Sequence, residues 1–347
     1  MSFLRSASGF LLFLLLPTSL FADTVEIELG FGGGNYVPGL LDHFNRDQAV
    51  IESYNPIGLS LPGATGLETR ATATGFAEVG LYSNDLLFNM FLHSRSPSGN
   101  TGSLLPFTTG ASLASGHFSI NDQLLGFTMG HILYFLQDRL RIVPGYGYMG
   151  SNQYYRYSIN TLGFSNVTTP ATVALSQNRF TNPRASASGF FLGLGVEYDW
   201  SKKFRLKSTL RYMPDSSGRY YLNSYTLSYQ NAPTGGGTAT ELLTFQERSG
   251  RLRHTMLDLD FKLQYLVNDH VRLNTGVRYQ YVYSRYSTDP TIAYLFSRIT
   301  DSGGSTSGVA FGYEVEYFTD QRIYEPFSRN MGTVYFSVTL STGRDNI

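Results

Sequence analysis

Leu257, Leu259, Phe261, Leu263 and Tyr265 alternate with Asp258, Asp260, Lys262 and Gln264. The same grammar returns at Val309, Phe311, Tyr313, Val315 and Tyr317, with Glu314 and Glu316 between them. A strand sends successive side chains to opposite faces, so one face of these strands is apolar and the other ionic. Long strands of this kind, together with abundant tyrosine and a secretion signal, imply a closed barrel with lipid outside and a polar lumen inside.

Arg5 supplies a positive start, Phe10 to Leu16 an apolar core, and Ala22 a small residue suited to cleavage. This run is too short to span a bilayer and reads as a secretory signal peptide over 1–22, leaving 23–347 as one barrel domain. No other segment reaches the roughly 18 apolar residues that a membrane helix needs. Cysteine is absent, which excludes disulfides, lipid-modified cysteine and thiolate zinc sites. The formal net charge is zero, so there is no footprint for nucleic acid. Tyr and Phe number 25 each against a single Trp, so Tyr and Phe must form any interfacial girdle.

Short polar turns at Ser83-Asn84-Asp85, Gln137-Asp138-Arg139, Ser201-Lys202-Lys203, Asn268-Asp269-His270 and Thr319-Asp320-Gln321 alternate with longer stretches rich in Gly, Ser, Thr, Asn and Pro. The expected fold is all-β, a closed antiparallel transmembrane barrel with short periplasmic turns and long extracellular loops. The turns give twelve strands, near 24–36, 73–82, 86–95, 123–136, 140–157, 185–200, 204–229, 240–266, 271–286, 307–318, 322–328 and 332–342. Pro326 interrupts the eleventh, and without it the count falls to ten. The loops are expected at 37–72, 96–122, 158–184, 230–239 and 287–306, and the strands flanking 230–239 are long enough to project beyond the bilayer. Tyr82, Phe135, Tyr198, Trp200, Phe204, Tyr265 and Tyr317 lie beside the short turns, where a periplasmic girdle belongs. Gly32-Gly33-Gly34 lacks a Walker lysine and reads as a loop.

Nearly the whole chain resembles the Gram-negative outer-membrane β-barrel proteins as a broad class. The closing run Val334-Tyr335-Phe336-Ser337-Val338-Thr339-Leu340 looks like the final strand that the barrel-assembly machinery reads, although the chain continues through Gly343-Arg344-Asp345-Asn346-Ile347. The resemblance implies a location in the bacterial outer membrane. Its partners would be outer-membrane lipid, the assembly machinery, and small solutes or an extracellular ligand. No cofactor and no metal are implied.

The phase opposite to the apolar residues gives the inward face. It carries Glu26, Glu28 and Glu78, then Glu197 and Asp199, then Arg205, Lys207 and Arg211, then Asp258, Asp260 and Lys262, then Arg272 and Arg278, then Glu314 and Glu316. Acid and base alternate from strand to strand, at the ~4.8 Å spacing of a sheet. These charges either hold the wall together or line a conduction path. Asn89, Gly126, Thr128, Gly145 and Gly147 leave space on the opposite wall, where an open passage is expected. A bulge at Gly130 would bring His131 inward. The turn at Asn268-Asp269-His270 allows two registers, in which Arg278 bonds either Asp258 or Asp260.

Three functions follow: a porin-like or narrow diffusion channel, a surface-exposed binding, adhesion or structural barrel with an occluded lumen, and a lipid hydrolase. The third rests on Gly116-His117-Phe118-Ser119, which resembles the histidine and serine of outer-membrane phospholipases; the resemblance implies His117 as base to Ser119. The rest of that family's pattern is missing. Asp258-Leu259-Asp260 resembles the aspartate pairs of omptin-type proteases, but no Asp-x-His faces it. Tyr154-Tyr155-Arg156-Tyr157 is the best candidate for surface recognition, since tyrosine and arginine favour interfaces.

Overall fold

The computed structural model describes residues 23–36, 70–107, 110–165, 172–182, 184–230, 239–288, 291–300, 306–315 and 327–343, with backbone alone over most of the strand ends farthest from the short turns. Residues 1–22 lie outside the described residues. Among the described residues no helix is long and apolar enough to cross a membrane, and this has no bearing on strands.

Among the described residues sixteen strand segments form one antiparallel sheet. They are β1 (Thr24–Tyr36), β2 (Arg70–Ser83), β3 (Leu86–Arg95), β4 (Ser98–Phe107), β5 (Gly110–His131), β6 (Leu133–Phe135), β7 (Leu140–Ser165), β8 (Thr172–Thr181), β9 (Arg184–Asp199), β10 (Phe204–Met213), β11 (Ser217–Gln230), β12 (Ala239–Asn268), β13 (Val271–Thr288), β14 (Thr291–Thr300), β15 (Thr306–Val315) and β16 (Phe327–Ser341). Near the short turns the hydrogen-bonded ring runs β1–β2–β3–β5–β7–β9–β10–β12–β13–β16 and back to β1, which is ten positions. The seam pairs Glu26 with Ser341 and Gly34 with Thr333. Closure leaves no free strand edge in this ring, as a lipid-embedded sheet requires.

Ten is the lower of the two counts that the turns allow. The segments expected as the tenth and twelfth strands do not take separate ring positions with an eleventh strand between them. β15 pairs with β14 and β16 with β13, so the two follow one another down the same ring position. The expected turn at Thr319-Asp320-Gln321 and most of the expected strand 322–328 lie outside the described residues.

The expected loops at 96–122, 158–184 and 287–306 are largely strand. β4 continues β3 against β5, β8 continues the line of β9, and β14 continues the line of β13. The barrel therefore rises well past the ~9–11 residues that cross a bilayer; β12 alone has 30 residues. Gly32, Gly33 and Gly34 also lie inside β1, not in a loop. No register shift occurs at Gly130, so the alternation runs on unbroken and His131 stays exposed on the outside.

An apolar belt faces outward in the half nearest the short turns, built from residues such as Leu125, Phe127, Phe190, Leu192, Phe261 and Phe336. Phe135, Tyr198, Trp200, Phe204 and Tyr265 are exposed beside the turns, as a girdle would be. Tyr82 instead turns inward, where its hydroxyl donates to Glu26 at 3.0 Å. Tyr317 lies outside the described residues.

Candidate functional site

The lumen is filled in layers. Nearest the short turns is a vestibule of ≈ 350 Å³, lined by Asp23, Glu26, Tyr82, Tyr134, Arg141, Glu197 and Arg205 among others. Most of its charges are already paired. Arg272 Nη1 donates to Glu26 at 2.6 Å, Arg205 Nε to Asp199 at 2.6 Å, and Arg141 reaches the same Asp199. Lys207 Nζ lies 2.6 Å from Glu197. The register explains these contacts, since Glu197 is directly opposite both Lys207 and Arg141, and Asp199 is opposite Arg205.

The next layer is an ionic plug. Asp258 is fully buried and receives Arg278 through both Nε and Nη2 at 2.6 Å, and Arg211 Nη1 at 3.0 Å. This two-pronged pairing fixes guanidinium and carboxylate in one plane. His93 packs against the Arg278 guanidinium and lies 3.3 Å from Glu78. Arg211 also sits over the Phe91 ring, 4.3 Å from its centroid. Lys262 reaches Glu28 at 2.8 Å and Asp260 at 3.8 Å, while the Tyr335 hydroxyl donates to Asp260 at 2.6 Å. Lys207 and Lys262 face each other directly in the sheet, and each turns to a different carboxylate. Such pairing offsets the cost of withdrawing charges from water.

Above the plug the interior becomes less ionic. Arg95 Nη1 donates to Gln280 at 2.7 Å and lies 3.7 Å from Asp122. Gln153, Tyr155 and Tyr36 continue the chain, with the Tyr155 hydroxyl donating to Gln153 at 3.0 Å. Phe118, Ile120, Tyr157, Phe191, Leu252 and Met331 then form part of a buried apolar cluster.

No open passage runs along the small-residue wall at the level of Gly126 and Gly147. A Cβ on Gly126 would stand 2.6 Å from the Phe91 ring, and Gly147 is covered by Phe191. The glycines admit these two rings from other strands, and the rings fill the space. Beside Gly80, Gly193 and Gly195 lies a side pocket of ≈ 70 Å³.

Glu78, Glu197, Asp199, Arg205, Lys207, Arg211, Asp258, Asp260, Lys262, Arg272 and Arg278 all point into the lumen. The side chain of Glu314, and all of Glu316, lie outside the described residues. Arg278 stands opposite Asp260 in the register yet bonds the diagonal Asp258. Tyr154, Tyr155, Arg156 and Tyr157 do not form one surface patch. Tyr154 and Arg156 are outward, whereas Tyr155 and Tyr157 are buried in the lumen, because successive strand residues face opposite ways. His117 is exposed and its Nδ1 bonds Asn100 at 2.9 Å. Ser119 shares its face, but among the described residues no hydrogen bond joins the two. Among the described residues no group of His, Asp and Glu could hold a metal ion.

His93, Arg95, Asp122, Arg141, Tyr36 and Tyr335 were not foreseen as members of the network. The signal was present for several. Continuing the inward phase of Asn89 along β3 gives Phe91, His93 and Arg95 in turn, and stepping back from Gly145 on β7 gives Val143 and Arg141.

The architecture is that of the outer-membrane barrels as a broad class. Solved structures that overlap the chain include the outer membrane protease OmpT from Escherichia coli, at 9% identity and a TM-score of 0.37, over 92% of this chain and 97% of that one. The Pseudomonas putida toluene transporter TodX overlaps at 12% identity and 0.25, over 94% and 91%. A Pseudomonas aeruginosa FadL homologue overlaps at 9% and 0.25, over 92% and 89%. No protein-family model matches the chain, and no curated sequence does. Overlaps this loose transfer no activity, and the description of the fold stands on the strand register.

Proposed function

We propose that this chain, exported by its N-terminal signal peptide, is an outer-membrane barrel with an occluded lumen that presents a strand-built extension at the cell surface for binding or structural contact. The filled interior carries this reading. An ionic layer centred on Asp258 is followed by an apolar layer around Phe118 and Tyr220, so two chemically different barriers lie in series. A diffusing ion would have to pass both, and the apolar layer offers it no replacement for its hydration shell. The extension supplies the contact surface, since among the described residues its outer face carries exposed Arg156, Arg184, Arg219 and Arg251, and its strands are long.

A narrow channel is the second reading, favoured by the vestibule and its side pocket, which reach Glu78 and Arg211 from the short-turn end. Planar-bilayer recording of purified, refolded protein separates the two. Silence at high protein density supports the occluded barrel. Steady conductance of the unmodified protein overturns it in favour of the channel.

A further inference from the structure

Beyond the apolar belt, on the side away from the short turns, the outer wall carries a row of arginines. Arg156, Arg184, Arg219, Arg251, Arg253 and Arg285 lie in the outward phase of their strands and are exposed. They occupy five neighbouring ring positions, on β7, β9, β11, β12 and β13. Arg219 is directly opposite Arg251, and Arg253 is directly opposite Arg285. Arg184 is opposite Tyr154 on one side and Tyr221 on the other, one outward step from Arg156 and from Arg219.

Directly opposed like charges destabilise a sheet. In the lumen the opposed Lys207 and Lys262 each find a carboxylate. The outer row does not. Among the described residues its one acidic partner is Asp215, 3.7 Å from Arg253, in a pair whose side chains are 65% and 52% exposed. The arrangement calls for anions from outside the chain. Guanidinium groups match phosphate through paired N–H donors, which suits this row to phosphate above other anions. Below it, past the outward Ser186 and Ser188, lie Phe190, Leu192 and Tyr212, exposed on adjacent strands and apolar enough to receive acyl chains. Charge above and grease below match one amphipathic molecule.

We infer that the row binds the phosphorylated headgroup of an outer-leaflet lipid, with its acyl chains along the Phe190–Tyr212 face. The inference rests on the outer-membrane orientation proposed above. Delipidated protein in a zwitterionic detergent is titrated with diphosphoryl lipid A, and binding is read by native mass spectrometry and by the thermal midpoint. The lipid is expected to bind and to raise the midpoint. The double variant Arg219→Gln, Arg251→Gln is expected to weaken binding by about tenfold or more. Its unliganded midpoint stays level or rises, because a repulsion has been removed. Dephosphorylated lipid A, tested on the unaltered protein, is expected to bind no better than the phosphorylated form binds the variant. Equal binding of the two lipids, equal binding by the two proteins, or a drop in the variant's unliganded midpoint would each overturn the site. Full stabilisation by inorganic phosphate alone would overturn the lipid as occupant. Orientation is read separately, by labelling Asp269→Cys and Asn160→Cys in intact cells, since Asn160 is exposed on β7 past the row. Labelling at 269 and not at 160 sinks the orientation while leaving the detergent result intact.

Discussion

Two stretches of β12 obey opposite rules. From Leu257 to Tyr265 the apolar residues face out and Asp258, Asp260, Lys262 and Gln264 face in. A few residues earlier Arg251 and Arg253 face out, and Leu252 and Met256 face in. The register with β13 is continuous between them, its one shift falling at Leu266/Asn268, so the backbone phase does not change. Only the chemistry is exchanged. β5 repeats the pattern, with Leu125 and Phe127 outward in one half and Phe118 and Ile120 inward in the other. The lower half turns its apolar groups outward, toward lipid, and keeps its polar groups inside. The described residues of the upper half do the reverse, with charges outward and apolar groups inward, as in a soluble domain. Period alone therefore does not tell a transmembrane strand from an extramembrane one; the side that carries the grease does.

The two halves differ in what breaks them. The largest loss is expected from Asp258→Ala, which leaves Arg211 and Arg278 without their buried carboxylate. Removing one side of such a set costs about 3–5 kcal/mol, read as a lower urea midpoint in vesicles. An unchanged midpoint would mean that water reaches the plug. Phe118→Ala, in the upper half, is expected to cost about 3 kcal/mol through the cavity that it leaves. Its effect should be local, with proteolysis of the upper hairpins while the lower half stays protected; cleavage in both halves at once would show that they unfold together. Val277→Arg, on the lipid-facing wall, is expected to cost about 2–4 kcal/mol near mid-bilayer. The same change at the outward Thr255, above the belt, should fall within about 0.5 kcal/mol, and equal losses at both sites would erase the boundary between the halves. The smallest effect belongs to Asp215→Ala, whose exposed partnership with Arg253 is worth at most about 0.5 kcal/mol once water screens it. Raising the salt concentration should abolish that difference but leave most of the Asp258→Ala loss.

Much of the lower half was legible because lipid enforces contrast between faces. Leu257 to Tyr265 and Val334 to Leu340 announce both strand and phase, and the turns near Asn84, Asp138, Lys202 and Asp269 sit where hairpins close. The inward direction of Arg278 follows from that phase, although its choice of Asp258 over the directly opposed Asp260 depends on side-chain reach that spacing does not encode. The upper half was hidden for the complementary reason. A face that meets water accepts Ser, Thr, Asn and Gly, so 96–122 and 158–184 read as loops although most of their described residues pair as strands. Tyr154 to Tyr157 looks like a single aromatic patch until alternation divides it between water and lumen. The filling of the glycine wall was illegible too, since Phe91 and Phe191 reach Gly126 and Gly147 from other strands.

The seam between β1 and β16 sets the order of folding. It joins residues as far as 317 positions apart, as in the bond from Val25 N to Thr342 Oγ1. Contacts this distant in sequence are slow to form, because the entropy of closing the loop is spent before the pairing repays it. Until β16 docks on β1, both are open edges, able to recruit strands from another copy of the chain. Closure is also intolerant of bulk, because a Cβ at Gly32 or Gly34 would strike the backbone of β16. A side chain placed there would act on the final, zippering event and prolong the time that the nascent sheet spends with its edges unguarded.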